Sequence, residues 1–76
     1  MSRPAKRSLT IRGHRTSVSL EDAFWQEFRA IALRQGLTIN ALATSIDADR
    51  GTETGLASAI RLFVLDDLKR QASRRR

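Results

Sequence analysis

The stretch that most constrains this chain is residues 15–20, where more polar and more apolar side chains alternate. Such alternation places consecutive side chains on opposite faces of a β-strand. One face carries Thr16, Val18 and Leu20, and the other carries Arg15, Ser17 and Ser19. The stretch therefore predicts a strand with one apolar face that is buried and one face of hydroxyls and arginine that is turned outward.

The chain offers this strand no obvious partner, because no second stretch alternates comparably. Residues 9–12 extend the pattern only as far as Gly13 and His14, which predict a kink or bulge. An unpaired strand leaves its backbone donors and acceptors without partners. We therefore expect the same strand of a second copy to complete an antiparallel ribbon, with Val18 and Leu20 buried beneath it.

The charge of the chain is concentrated at its two ends. The net charge of +6 divides into +5 over residues 1–16, −4 over residues 17–68 and +5 over residues 69–76. Basic ends on an acidic body indicate a polyanionic partner. Solubilising tails are the alternative, but the basic residues near the polar strand face favour a polyanion.

The size and composition of the chain exclude several classes of protein. Its 76 residues make one small domain, which dimerisation would stabilise. There is no cysteine and only one histidine, so we expect no disulfide, metal, cofactor or small-molecule substrate. The apolar run at residues 62–65 is too short to span a bilayer, and the N-terminus lacks a signal-peptide core. These features predict a soluble, cytoplasmic protein without a membrane partner.

Three helices follow the strand in the predicted order of elements. The first covers residues 21–35 and ends at Gly36, the second follows the N-cap Thr38 and ends near residues 49–51, and the third covers residues 56–69. The third helix is apolar on more than one side, which predicts burial in the core and at a dimer interface. The expected core and interface side chains are Thr16, Val18, Leu20, Phe24, Phe28, Ile31, Leu42, Ile46, Ile60, Phe63 and Val64.

The chain is thus expected to have three parts. Residues 1–8 lack apolar periodicity and are predicted to form a flexible basic arm. Residues 9–68 form the folded domain, and residues 69–76 form a basic tail.

This order of elements resembles the ribbon-helix-helix family, which includes the MetJ and Arc repressors. The resemblance rests on residues 15–20 for the strand, residues 24–32 for the first helix and residues 36–40 for the turn into the second. More narrowly, residues 13–21, 40–42 and 59–64 are similar to a bacterial subfamily of this fold. The resemblance covers residues 6–68. The simplest members of the family, by contrast, end after the second helix.

The resemblance implies a mainly α fold with a short strand, in an intertwined homodimer or a higher oligomer. The antiparallel ribbon of the dimer would lie in the DNA major groove, with Arg15, Ser17 and Ser19 contacting base edges. Phosphates would be held at the start of the second helix and by basic residues of the arm. The expected phosphate contacts are Thr38, Ile39, Asn40, Lys6, Arg7, Arg12 and His14.

The leading hypothesis is a bacterial transcriptional repressor that occupies double-stranded DNA and associates with the nucleoid when bound. An antitoxin is a variant of it, although the basic C-terminus offers little apolar surface to a toxin. A helix-turn-helix is disfavoured because residues 50–54 are long for its turn. A protein-interaction module with basic arms is the alternative from another class. The chain offers no constellation for an enzyme.

Overall fold

The computed structural model describes residues 3–74 of the chain. It contains a two-stranded antiparallel sheet followed by three helices, which confirms the predicted mainly α class. In chain order the elements are β1 (Ala5–Ile11), β2 (His14–Leu20), α1 (Asp22–Arg34), α2 (Ile39–Asp49) and α3 (Leu56–Arg74).

The two strands form a hairpin within one chain, in a register that pairs Ala5 with Leu20 and Ile11 with His14. Two residues connect them, Arg12 with φ 52° and Gly13 with φ 80°. Positive φ at both central positions defines a type I′ turn, whose twist matches that of the paired strands. The predicted kink or bulge at Gly13 and His14 is therefore wrong, because Gly13 and its neighbour Arg12 reverse the chain.

The hairpin also corrects the predicted source of the partner strand. The strand that pairs with β2 comes from the same chain, not from a second copy. Residues 5–8, expected in a flexible arm, form the first half of β1. Side chains do alternate in β1, with Leu9 and Ile11 buried between exposed neighbours, but the charged Arg7 on the same face obscures the pattern.

The helices begin and end close to their predicted positions, apart from the last. Glu21 precedes α1, and Gly36 with φ 69° follows it in the left-handed conformation that ends a helix. Thr38 caps α2, because its Oγ1 accepts a hydrogen bond from the Ala41 N–H at 3.0 Å.

The third helix extends to Arg74, so most of the predicted basic tail is helical within the described residues. Two side-chain pairs one turn apart, Arg70 with Asp66 and Gln71 with Asp67, support the added turns. Residues 75 and 76 lie outside the described part of the chain. Within residues 3–74, no helix combines the length and apolar character needed to cross a bilayer.

One core joins the inner face of the hairpin to all three helices, with Phe28 of α1 and Ile60 of α3 fully buried. Most of the side chains expected in the core or interface are buried, but Phe24 and Phe63 are only half-buried. Thr16 does not belong to the core of the chain, because its side chain is exposed in an open groove that also contains His14, Asp47 and Leu56. Burial of α3 is also one-sided, since Leu62 is 61 % exposed.

Candidate nucleic-acid interface

The outer face of the hairpin is entirely polar. Both strands contribute to it, because antiparallel pairing places residues of β1 directly beside residues of β2. All six side chains are exposed to solvent. The cross-strand neighbours are Lys6 with Ser19, Ser8 with Ser17, and Thr10 with Arg15.

The basic side chains of this face and of the hairpin turn differ from most of those on the helical body, because they have no acidic partner among the described residues. In the body, Arg34, Arg50 and Arg70 each form an ion pair with an aspartate. Within residues 3–74, neither Arg12 nor Arg15 forms an ion pair, and nor does Lys6. The positive charge of the hairpin is therefore available to an external anion, whereas most of that on the body is neutralised.

Arg7 is the exception among the basic residues of the hairpin. It lies on the inner face, where its Nη2 donates to the Leu20 carbonyl at 3.4 Å and lies 3.6 Å from the Asp22 carboxylate. Its guanidinium carbon is 5.5 Å from the Trp25 ring centroid, within cation–π range. The structure thus corrects the expectation that Arg7 belongs to a mobile basic arm, because the indole and carboxylate of α1 hold it against the body.

Arg61 of α3 contacts the C-terminal end of β2. Its Nε donates to Glu21 Oε1 at 2.9 Å and its Nη2 donates to the Ser19 carbonyl at 3.2 Å. The Arg61 hydrogen bond, aided by the backbone N–H of Glu21, holds the pKa of the Glu21 carboxyl below its ordinary value. The carboxylate is therefore charged at neutral pH, and the base of the hairpin is tied to both α1 and α3.

The N-terminus of α2 lies beside the free edge of β1. The side chain of Asn40 accepts a hydrogen bond from the Thr10 backbone N–H at 2.9 Å, across 30 residues of sequence. At the same helix end, the Thr38 side chain accepts a hydrogen bond from the Ala41 N–H. The N–H groups of Ile39 and Asn40 come too early in the helix to find an acceptor within it. Free N–H donors at a helix N-terminus favour anions, and here they adjoin the polar ribbon.

A family model described as a ribbon-helix-helix domain matches residues 4–68. The chain belongs to the ribbon-helix-helix family. Members of this family are in general DNA-binding regulators and not enzymes. No curated protein and no solved structure matches the chain.

The ribbon-helix-helix domain brings most of the predicted site residues into two neighbouring places. The outer face of the hairpin holds Arg15, Ser17 and Ser19 with Lys6 beside them, and the start of α2 holds Thr38, Ile39 and Asn40. The side chain of Ile39 is half-buried against the core, so only its backbone is suited to an anion. Arg12 lies in the hairpin turn, and His14 begins β2 and lines the open groove.

Sequence reasoning missed the contribution of β1 to the polar face. The signal was present, since Lys6, Ser8 and Thr10 occupy every second position. The hydrogen bond between Thr10 and Asn40 had no such signal, because no local pattern links positions that far apart in sequence.

Proposed function

We propose that the protein is a sequence-specific transcriptional regulator, and specifically a repressor, that places the polar face of its hairpin in the DNA major groove. The observation that carries the proposal is the exposed polar ribbon, whose cations Lys6, Arg12 and Arg15 have no acidic partner within residues 3–74. A two-stranded ribbon fits the major groove, which is about 12 Å wide. The family supports DNA binding in general, and the ribbon chemistry supports base readout.

The base contacts are assigned to β2. Arg15 is exposed and has no ion-pair partner within residues 3–74, so its guanidinium is available for the bidentate contact with guanine that arginine makes most often. Ser17 and Ser19 lie on the same face, two and four residues further along the strand. Their hydroxyls donate or accept and therefore discriminate less sharply between bases than Arg15.

The phosphate contacts are assigned to the surroundings of the ribbon. Lys6 and Arg12 lie towards opposite ends of β1, at the two borders of the polar face, and His14 follows the turn. The first N–H groups of α2 adjoin the β1 edge through the Asn40 contact, which suits them to fix the register on the DNA backbone. Such contacts add affinity that depends on salt but not on sequence.

We further propose that the repressor acts as a homodimer. The small core supports this, as does the exposure of Leu62, Leu65 and Leu68 along α3. Two linked chains occupy two half-sites with a higher overall affinity than one. Sedimentation equilibrium of the free protein tests the assembly, and a monomer at micromolar concentration contradicts it.

The test of function measures the affinity of the protein for the promoter fragment upstream of its own gene and for scrambled DNA of equal length, across a salt series. We expect the preference for the promoter to survive rising salt in the wild-type protein, because base contacts do not release counterions. Arg15→Ala lowers that preference more than any other single substitution, by about 1–3 kcal/mol of discrimination. Lys6→Ala weakens binding to both DNAs alike and lowers the slope of the salt dependence by about 1.

Arg29→Ala is the matched control, because Arg29 is an exposed arginine of α1 without an ion pair in the described part of the chain. It should leave the preference unchanged. Equal, steeply salt-dependent binding of the wild-type protein to both DNAs would contradict sequence readout and leave a protein-interaction module with basic arms. A reporter driven by the promoter then separates repression from binding, since only a repressor lowers its expression.

A further inference from the structure

The β1 half of the polar face carries two hydroxyl side chains that the proposed contacts do not use, Ser8 and Thr10. Each is exposed and lies directly across from a proposed reading residue, Ser8 from Ser17 and Thr10 from Arg15. Neither hydroxyl makes a hydrogen bond within residues 3–74. Both are therefore free to contact whatever the β2 side chains contact.

The spacing of the hairpin brings these side chains within reach of the same bases. Directly opposed residues in an antiparallel pair have Cβ atoms about 4.5–5.5 Å apart, and every second residue along a strand is about 6.8 Å further on. The face from Lys6 to Thr10 is thus about 14 Å long, roughly four base-pair steps of 3.4 Å. Base edges that contact Arg15 and Ser17 are therefore also within reach of Thr10 and Ser8.

The position of β1 is held by the rest of the molecule. The Thr10 backbone N–H donates to Asn40 Oδ1 at 2.9 Å, and Arg7, between Lys6 and Ser8, is held by Trp25 and Asp22. These contacts fix β1 at both sides of Ser8. Pre-positioned side chains read bases with less loss of conformational entropy than side chains on a mobile arm.

We propose that Ser8 and Thr10 determine base preference together with Arg15 and Ser17, so that one chain carries a complete two-stranded reading ribbon. The hydroxyl of each residue donates or accepts at a base edge. When each chain contributes one strand, two chains are needed to form one reading face. Here each chain contributes both strands and so forms a reading face of its own. The inference rests on the proposed function.

The test is selection of preferred sites from a random duplex pool by the full chain, with Ser8→Ala and Thr10→Val compared with the wild-type protein. Valine keeps the branched shape of threonine and the strand preference while removing the hydroxyl. We expect each variant to flatten the preference about threefold to tenfold at one or two positions adjacent to those governed by Arg15. The salt slope should not change, because no charge is removed. Ser58→Ala, an exposed serine of α3, is the matched control.

Three outcomes are distinguishable, provided that thermal unfolding shows each variant to be folded. A shifted or flattened preference in Ser8→Ala and Thr10→Val, but not in Ser58→Ala, supports the inference. Unchanged preferences in both variants, with Arg15→Ala altered, overturn it and leave β2 as the sole reading strand. If the wild-type protein selects no sequence, the proposed function fails and the inference fails with it.

Discussion

The two faces of the hairpin come from the same fourteen strand residues but have opposite environments. On the inner face, Leu9 and Leu20 are buried at 2 % and 0 % exposure, while every side chain from Lys6 to Ser19 on the outer face is in solvent. Two arginines show the difference most clearly, since Arg7 packs on an indole and Arg15 contacts no acid of the described residues. Stability therefore depends on one face, and the other is free for binding.

The largest effect should come from removing apolar volume from the inner face. Leu20→Ala deletes a fully buried side chain at the junction of the hairpin with the helices. We expect the free energy of unfolding to fall by about 2–5 kcal/mol, since both the transfer energy and a cavity contribute. Chemical denaturation measures it. The neighbouring Ser19→Ala on the outer face should change the same quantity by less than about 0.5 kcal/mol, and equal losses would show that the faces are not distinct.

An intermediate effect should separate the two arginines when each is replaced by methionine. Arg7→Met removes the contacts with the Leu20 carbonyl, Asp22 and Trp25, but also removes a buried Nε that has no partner within residues 3–74. The two changes oppose each other, so we expect a net loss of about 1 kcal/mol of stability.

The same substitution at Arg15 should leave the unfolding midpoint unchanged and remove the base preference at the positions that Arg15 contacts. Urea titration and promoter binding, carried out on both variants, report the two properties separately. A loss of stability in Arg15→Met, or a loss of base preference without a loss of stability in Arg7→Met, would reverse the assignment of the two faces.

The smallest effect should appear in the hairpin turn, where binding and stability are expected to move in opposite directions. Arg12 has φ 52°, a left-handed conformation that asparagine adopts more readily than arginine. Arg12→Asn should raise the free energy of unfolding by about 0.5–1 kcal/mol. It should also weaken DNA binding and lower the salt slope by about 1, because a phosphate contact is lost.

Arg12→Lys provides the control for charge, since it keeps the cation and the strained backbone. Its stability and salt slope should both match those of the wild-type protein. A rise in stability without weaker binding in Arg12→Asn would show that the side chain of Arg12 does not reach phosphate.

Much of the helical part of the fold was predictable because its signals are local. The apolar spacing around Phe28, the cap at Thr38 and the glycine at position 36 each act within a few residues, and each helix start lies within one residue of its prediction. The polar face of β2 was predictable for the same reason, because alternation along a strand needs only neighbouring residues.

The turn and the partner strand next to the polar face of β2 could be identified only from tertiary contacts. The turn at Arg12 and Gly13 lacks the asparagine–glycine signature of its type, and Arg7 replaces an apolar residue on the inner side of β1. The position of β1 depends on partners outside the hairpin, which are Trp25 and Asp22 for Arg7 and Asn40 for Thr10. Local periodicity identifies which face of a strand is polar. The strand that completes the sheet depends instead on distant packing and hydrogen bonds, which no short window of sequence contains.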